Sequence, residues 1–92
     1  MSELKNTLRE GGKYMIHVNL YAALRRYLPT ACRESGSIII EAAEGGKVMD
    51  VMRQLGINPD EVQLVVVNGI DGDFSRTLSP GDRLSLFPQW LG

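Results

Sequence analysis

The chain of 92 residues sets ten Lys and Arg against eleven Asp and Glu, a formal net charge of −1, with 43% apolar and 23% charged residues. That balance suits a single folded domain, is too apolar for intrinsic disorder, and lacks the basic excess that phosphate neutralisation demands of a nucleic-acid binder. Cys32 is the one cysteine, which excludes an internal disulfide and a CxxC redox pair and fits a reducing cytoplasm, and no apolar run approaches the roughly 20 residues that cross a bilayer.

Residues 1–14 are mostly polar and include Gly11-Gly12, so they read as a flexible lead-in. From Met15 the pattern alternates: Ile16, Val18 and Leu20 point one way while His17, Asn19 and Tyr21 point the other, the mark of a half-buried strand. Tyr21, Leu24 and Leu28 then recur at helical spacing before Pro29, which predicts a short helix of about two turns. Ser37–Ala43, with Ile38, Ile39 and Ile40, predicts a second strand because β-branched side chains favour the pleated backbone.

Val48, Val51, Met52 and Leu55 form the stripe of an amphipathic helix over Lys47–Leu55, with Gly56 placed to end it. Met49 and Met52 are accordingly flank and core. Asn58-Pro59 breaks the chain, and the nearly continuous apolar run Val62–Val67 predicts a strand in the middle of a sheet with both faces at least partly covered. Asn68-Gly69 and Asp71-Gly72 supply turn residues, and Ser79-Pro80-Gly81-Asp82 reads as a type II turn. Arg83–Phe87 alternates again as the last strand, with Leu84 and Leu86 on a core face, and Pro88 ends it.

This order describes an α+β domain of β-grasp, or ubiquitin-like, layout: a mixed four- to five-stranded sheet packed on one main helix, with a short second helix. The last strand can lie parallel to the first because a long crossover separates them. The expected organisation is a lead-in over 1–14, the β-grasp domain over 15–88 and a tail over 89–92.

Side chains with chemical potential are sparse. His17 has no second ligand at metal-binding spacing, so it reads as a solvated surface residue, and no metal site is expected. Cys32 has no histidine in its segment and reads as incidental. Gly45-Gly46-Lys47 lacks the frame of a phosphate-binding loop, so nucleotide is expected on a partner. Arg25, Arg26, Arg33, Arg76 and Arg83 read as a solvated face, while Gly69, Gly81 and Asp82 read as turn requirements.

Residues VNLYAALRRYL at 18–28, VMDVMRQLGI at 48–57, LVVVNG at 64–69 and TLSPGDRLSLFP at 77–88, in this order and spacing, resemble the MoaD/ThiS family of small sulfur carriers. The resemblance implies a carrier rather than an enzyme, with no catalytic residue and no bound cofactor of its own. It implies that Gly92 is the activated C-terminus, adenylated by an ATP-binding adenylyltransferase related to ubiquitin-activating enzymes and converted to a thiocarboxylate. Phe87, Pro88, Gln89, Trp90 and Leu91 would form the tail and its contacts with the partner.

It further implies an acceptor such as the large subunit of molybdopterin synthase or a thiazole synthase, in molybdenum cofactor or thiamine biosynthesis, and a cytoplasmic setting without nucleic acid or membrane. Family members commonly end in Gly-Gly, whereas this sequence reads Phe87-Pro88-Gln89-Trp90-Leu91-Gly92. The alternatives are a β-grasp interaction module that is never activated, which the single glycine would suit, and a ubiquitin-like modifier joined to lysine through the same tail.

Overall fold

The computed structural model describes residues 14–43 and 45–88. Five strands form one mixed sheet: β1 (Tyr14–Leu20), β2 (Ser37–Ala42), β3 (Val62–Val67), β4 (Ile70–Gly72) and β5 (Arg83–Pro88), in the spatial order β2-β1-β5-β3-β4. β1 and β2 pair antiparallel with Ile16 opposite Ile40, and β5 lies parallel to β1 with Leu20 opposite Leu86. The β-grasp layout expected from the sequence is therefore the observed one.

The alternation in β1 does what a period of two requires. Ile16, Val18 and Leu20 are fully buried, whereas Met15 is exposed on the other face. On the buried side lies the helix α1 (Val48–Leu55), which turns Val48, Val51 and Met52 into the core. Leu24, Leu28, Ile57 and Leu78 complete this layer from the connections.

Both ends of α1 are built locally. The Asp50 carboxylate accepts the Lys47 amide hydrogen at 2.8 Å and places negative charge at the helix N-terminus. At the other end Gly56 takes φ 78°, which lets its N–H reach the Arg53 carbonyl at 3.2 Å and the Ile57 N–H reach the Met52 carbonyl at 2.8 Å. This paired closure needs a left-handed residue, and glycine adopts that conformation without a Cβ penalty.

The two-turn helix expected around residues 21–28 is instead a 3-10 helix over Ala22–Tyr27, followed by a second 3-10 turn over Thr30–Cys32. Ala22 has φ 49°, incompatible with a regular α-helical start, while Leu24 and Leu28 are anchored in the core. Arginines brace this irregular path. Arg25 donates to the Glu34 carbonyl at 3.3 Å, and Arg33 donates to the carbonyls of Leu28 and Arg26 at 2.9 and 3.1 Å. Three of the five arginines expected as a solvated face thus hold the β1–β2 connection, since Arg26 also bonds the Ala23 carbonyl at 3.1 Å.

Two further expectations are corrected. The middle strand is β5, flanked by β1 and β3, whereas β3 sits one strand from the edge with Leu64 40% exposed on the outer face. Asp71-Gly72 is not a turn but part of β4. Asn68 and Gly69 both take positive φ, 53° and 83°, forming the tight turn whose twist matches a hairpin, and this brings Asp71 opposite Val66. A third 3-10 turn, Pro59–Glu61, leads into β3, its start capped by the Asn58 side chain on the Asp60 amide at 2.9 Å.

The loop before β5 is fixed to the β3–β4 turn. Gly81 has φ 80° and the Asp82 N–H bonds the Ser79 carbonyl at 3.0 Å, as expected of the turn. The Asp82 carboxylate accepts from the Ser79 amide at 2.7 Å and from the Asn68 side-chain amide at 2.9 Å, and the Asn68 side-chain Oδ1 accepts from the Arg83 amide at 2.9 Å. Asp82→Ala removes both bonds to the carboxylate and is expected to lower stability by about 1–2 kcal/mol, read from the urea midpoint at unchanged slope.

Candidate functional site

β5 brings the end of the domain to the middle of the sheet, and strand periodicity decides what surrounds it. Leu84 and Leu86 face the core, so Phe87 faces outward. Because Leu20 pairs with Leu86 in the parallel register, Tyr21, the next residue of β1's path, emerges beside Phe87. Their rings stack with centroids 4.4 Å apart and planes 2° from parallel. The sequence pattern had placed Tyr21 on a helix stripe with Leu24 and Leu28; in the fold it belongs to the outer face.

The third contributor comes from β3. Leu64 lies opposite Phe87, but Val62 lies opposite Pro88, so the pairing slips between them and leaves Gln63 unpaired in a bulge. The bulge places Gln63 and Leu64 both on the exposed surface. Tyr21, Ala22, Gln63, Leu64, Phe87 and Pro88 together line an open hollow of about 330 Å³. Gln63 and the Tyr21 hydroxyl are the polar groups among its lining side chains.

Ala22 is a second irregularity in the same wall. A non-glycine residue held at positive φ costs on the order of 1–2 kcal/mol, a cost that the packing of Leu24 and the Tyr21–Phe87 stack offsets. Strain and a bulge therefore meet at one apolar depression, beside the point where the described chain ends. Chemically the hollow can bind an apolar or aromatic group by desolvation, and it gathers no acid–base pair among its described lining residues.

Of the tail residues expected to matter, Phe87 and Pro88 are half-buried and line the hollow. Gln89, Trp90, Leu91 and Gly92 lie outside the described residues. Tyr21, Ala22, Gln63 and Leu64 were not foreseen as site residues. Leu64 carried a signal, since the run Leu64–Val67 is apolar on both faces of a strand that buries only one.

The other candidates sit elsewhere. His17 is half-buried on the outer face, opposite Ile39 and beside Arg83, rather than fully solvated. Cys32 is half-buried in its 3-10 turn and packs against the core. Among the described residues no group of three or more His, Cys, Asp or Glu gathers as a metal site would require. No described helix is long and apolar enough to cross a membrane.

One charged cluster joins the β1–β2 connection to the start of β3. The Tyr27 hydroxyl donates to Glu61 at 2.8 Å, Arg26 pairs with the same carboxylate, and the Arg26 guanidinium lies 4.7 Å from the centre of the Tyr27 ring. The Tyr27 hydrogen bond foremost, and Arg26 after it, hold the Glu61 carboxyl below its ordinary value of 4.5. A lowered folded value means that this stabilisation is complete above 4.5 and fades as pH falls through the folded value. Glu61→Gln is accordingly expected to be less stable than the parent at neutral pH, with the two denaturation midpoints converging in acid.

The profile of the Mut7-C ubiquitin family matches residues 13–90. No curated protein matches the sequence. Among solved structures, the HVO 2177 protein of Haloferax volcanii superposes with a TM-score of 0.67 at 23% identity, over 87% of each chain. A putative molybdopterin converting factor, subunit 1, from Pyrococcus furiosus gives 0.63 at 19% identity, over 82% of this chain and 97% of that one. Small archaeal modifier protein 1 of Haloferax volcanii gives 0.63 at 20% identity, also over 82% and 97%. At these identities the structures establish a common fold.

Proposed function

Since the chain belongs to the Mut7-C ubiquitin family, we propose that it is a small sulfur carrier, a protein substrate for a partner enzyme. The observation that carries this reading is the path of β5: it runs along the middle of the sheet and ends at Pro88 in the wall of an apolar hollow. The hollow gives a partner something to grip next to the segment it must act on, and the chemistry is the partner's. Fold likeness to a putative molybdopterin converting factor subunit and to a small archaeal modifier supports the same class.

The proposed chemistry takes place at the carboxylate of Gly92. A carboxylate resists nucleophiles, so the partner, an adenylyltransferase related to ubiquitin-activating enzymes, joins it to AMP and releases pyrophosphate from ATP. A sulfide-level nucleophile then attacks the acyl carbon and AMP leaves, so that one difficult substitution becomes two easier ones. The thiocarboxylate passes its sulfur to an acceptor such as a molybdopterin-synthase large subunit or a thiazole synthase. Docking of the globular body supplies binding energy remote from the reacting carbon, which the partner can use to position it.

Pyrophosphate exchange tests the first step. With the cognate adenylyltransferase, exchange between labelled pyrophosphate and ATP is expected to depend on this chain and to disappear when Gly92 is removed. Exchange that persists unchanged without Gly92 would overturn the assignment of the activated residue.

A further inference from the structure

We propose that the β2 edge of the sheet is a self-association surface, at which β2 of one copy pairs antiparallel with β2 of a second, Ile39 opposite Ile39. Among the described residues β2 has β1 as its one neighbour in the sheet. Hydrogen bonding along β1 shows which backbone groups of β2 are left over. The N–H groups of His17 and Tyr21 bond the carbonyls of Asp82 and Leu86 on the β5 side, whereas the Leu20 N–H bonds the Gly36 carbonyl on the β2 side at 2.8 Å. With Ile16 opposite Ile40 and Val18 opposite Ile38, the antiparallel ladder therefore turns the N–H and C=O of Ile38 and Ile40 toward β1, and those of Ser37, Ile39 and Glu41 toward the edge.

Edge strands are ordinarily blunted by charge, proline, a bulge or short length. β2 runs six residues in unbroken register without proline, Glu41 is its single charge, and its centre is Ile38-Ile39-Ile40. Ile40 is buried and Ile38 packs partly against the core, but Ile39 is 60% exposed on the outer face. The core accounts for Ile40 and Ile38; it does not account for Ile39.

The occupant is a second copy because the strand complements itself. A two-fold pairing centred on Ile39 sets residues 37–41 against 41–37 of the other copy, with Ser37 opposite Glu41, so that the hydroxyl donates to the carboxylate. Ile39 meets Ile39 on the outer face, and Ile38 meets Ile40 on the inner face as a non-hydrogen-bonded pair with Cα atoms about 4.5 Å apart. A one-residue slip would set outward backbone groups against inward ones. The next allowed registers put Ser37 or Glu41 against Ile39, and pairing Glu41 with itself opposes two carboxylates. The Ser37 amide, held by the Ser35 hydroxyl at 3.3 Å, exchanges that long contact for a backbone carbonyl. A net charge of −1 gives two copies little cause to repel.

A single strand on each side falls short of the roughly 800 Å² per partner of a standard stable interface, so the pair is a reversible one that forms at high concentration. It uses none of the residues that line the hollow, and holds whether or not a partner activates the tail.

Sedimentation of the unsubstituted chain from micromolar to millimolar concentration is expected to show the average mass rising from one chain toward two. Amide hydrogen exchange at Ile39 and Glu41 should slow over the same range, while that of Ile40, bonded to β1, is slow throughout. Ile39→Lys and Ile39→Glu, both at an exposed position, should each weaken association by about tenfold or more, since two like charges then face one another across the two-fold. An equal mixture of the two variants should recover it, because opposite charges now meet, a result that a folding defect cannot mimic. Ile70→Lys, on the opposite edge strand β4 and 63% exposed, should leave association unchanged.

A single-chain mass at millimolar concentration, undiminished association of the Ile39 variants, no recovery in their mixture, or an equal effect of Ile70→Lys would each overturn the proposal. Protection of the Ile39 amide at every dilution would also overturn it, since the edge would then be covered by the chain itself.

Discussion

Leu86→Ala is expected to lower stability by about 3–5 kcal/mol, in the upper part of the range for truncating a buried leucine. Leu86 is fully buried in the central strand, opposite Leu20 on β1 and Val65 on β3, both themselves buried. Its carbonyl also accepts the Tyr21 N–H at 3.3 Å. Little can collapse into the gap, because hydrogen-bonded strands hold both neighbours at fixed spacing. Against a total of about 5–15 kcal/mol for a typical domain, the loss should drop the melting temperature by at least 10 °C or so. Ser85→Ala, one residue away and facing the other side of the sheet, should leave it nearly unchanged.

Phe87→Asp is expected to have the largest effect on function, with a smaller loss of stability from the missing stack on Tyr21. Phe87 is only half-buried, and its ring stacks on Tyr21 in a wall that faces solvent, so the carboxylate remains hydrated in the free protein. In a complex with a partner that fills the hollow, the same charge would be desolvated beside Leu64 without a counter-charge. Central aromatic anchors commonly contribute 2 kcal/mol or more, which is a loss of at least about thirtyfold in affinity for the activating partner. Under the proposed function this should appear as a raised KM for the carrier in the adenylation assay, with kcat at saturation largely kept, because Phe87 takes no part in the bond changes. A lowered kcat at unchanged KM would place the residue in the chemistry instead.

Much of the fold was legible from local signals. Alternation announced β1 and β5, the Val48, Val51, Met52, Leu55 stripe announced α1, and Gly56 marked its end through a requirement for positive φ that few residues satisfy. Ser79–Asp82 announced its turn, although nothing local showed that the Asp82 carboxylate would also hold Asn68. What sequence reasoning missed was decided by tertiary contacts. The segment Ala22–Tyr27 has helical spacing, but arginine bonds to distant carbonyls and the left-handed Ala22 draw it into a 3-10 path. β4 has only three residues, too few for any periodicity, and exists because the Asn68-Gly69 turn folds the chain back on β3.

The candidate site was half legible for the same reason. Phe87 and Pro88 were named because the family resemblance implies that they belong to the tail and its partner contacts. Tyr21 and Leu64 join them only through the parallel register of β1 with β5 and the slip in β3 at Gln63. A bulge has no composition of its own. The nearly continuous apolar run Val62–Val67 predicted a strand with both faces at least partly covered, and its exposed residues Gln63 and Leu64 form one wall of the hollow.

The central claim, that this domain presents its tail for activation and sulfur loading, is tested most directly by the intact mass of the protein after incubation with ATP, its adenylyltransferase and a sulfur donor. Exchange of one oxygen for sulfur is expected, located by fragmentation at Gly92. An unchanged mass with an adenylyltransferase active on another carrier, or a product linked only through lysine, would contradict it.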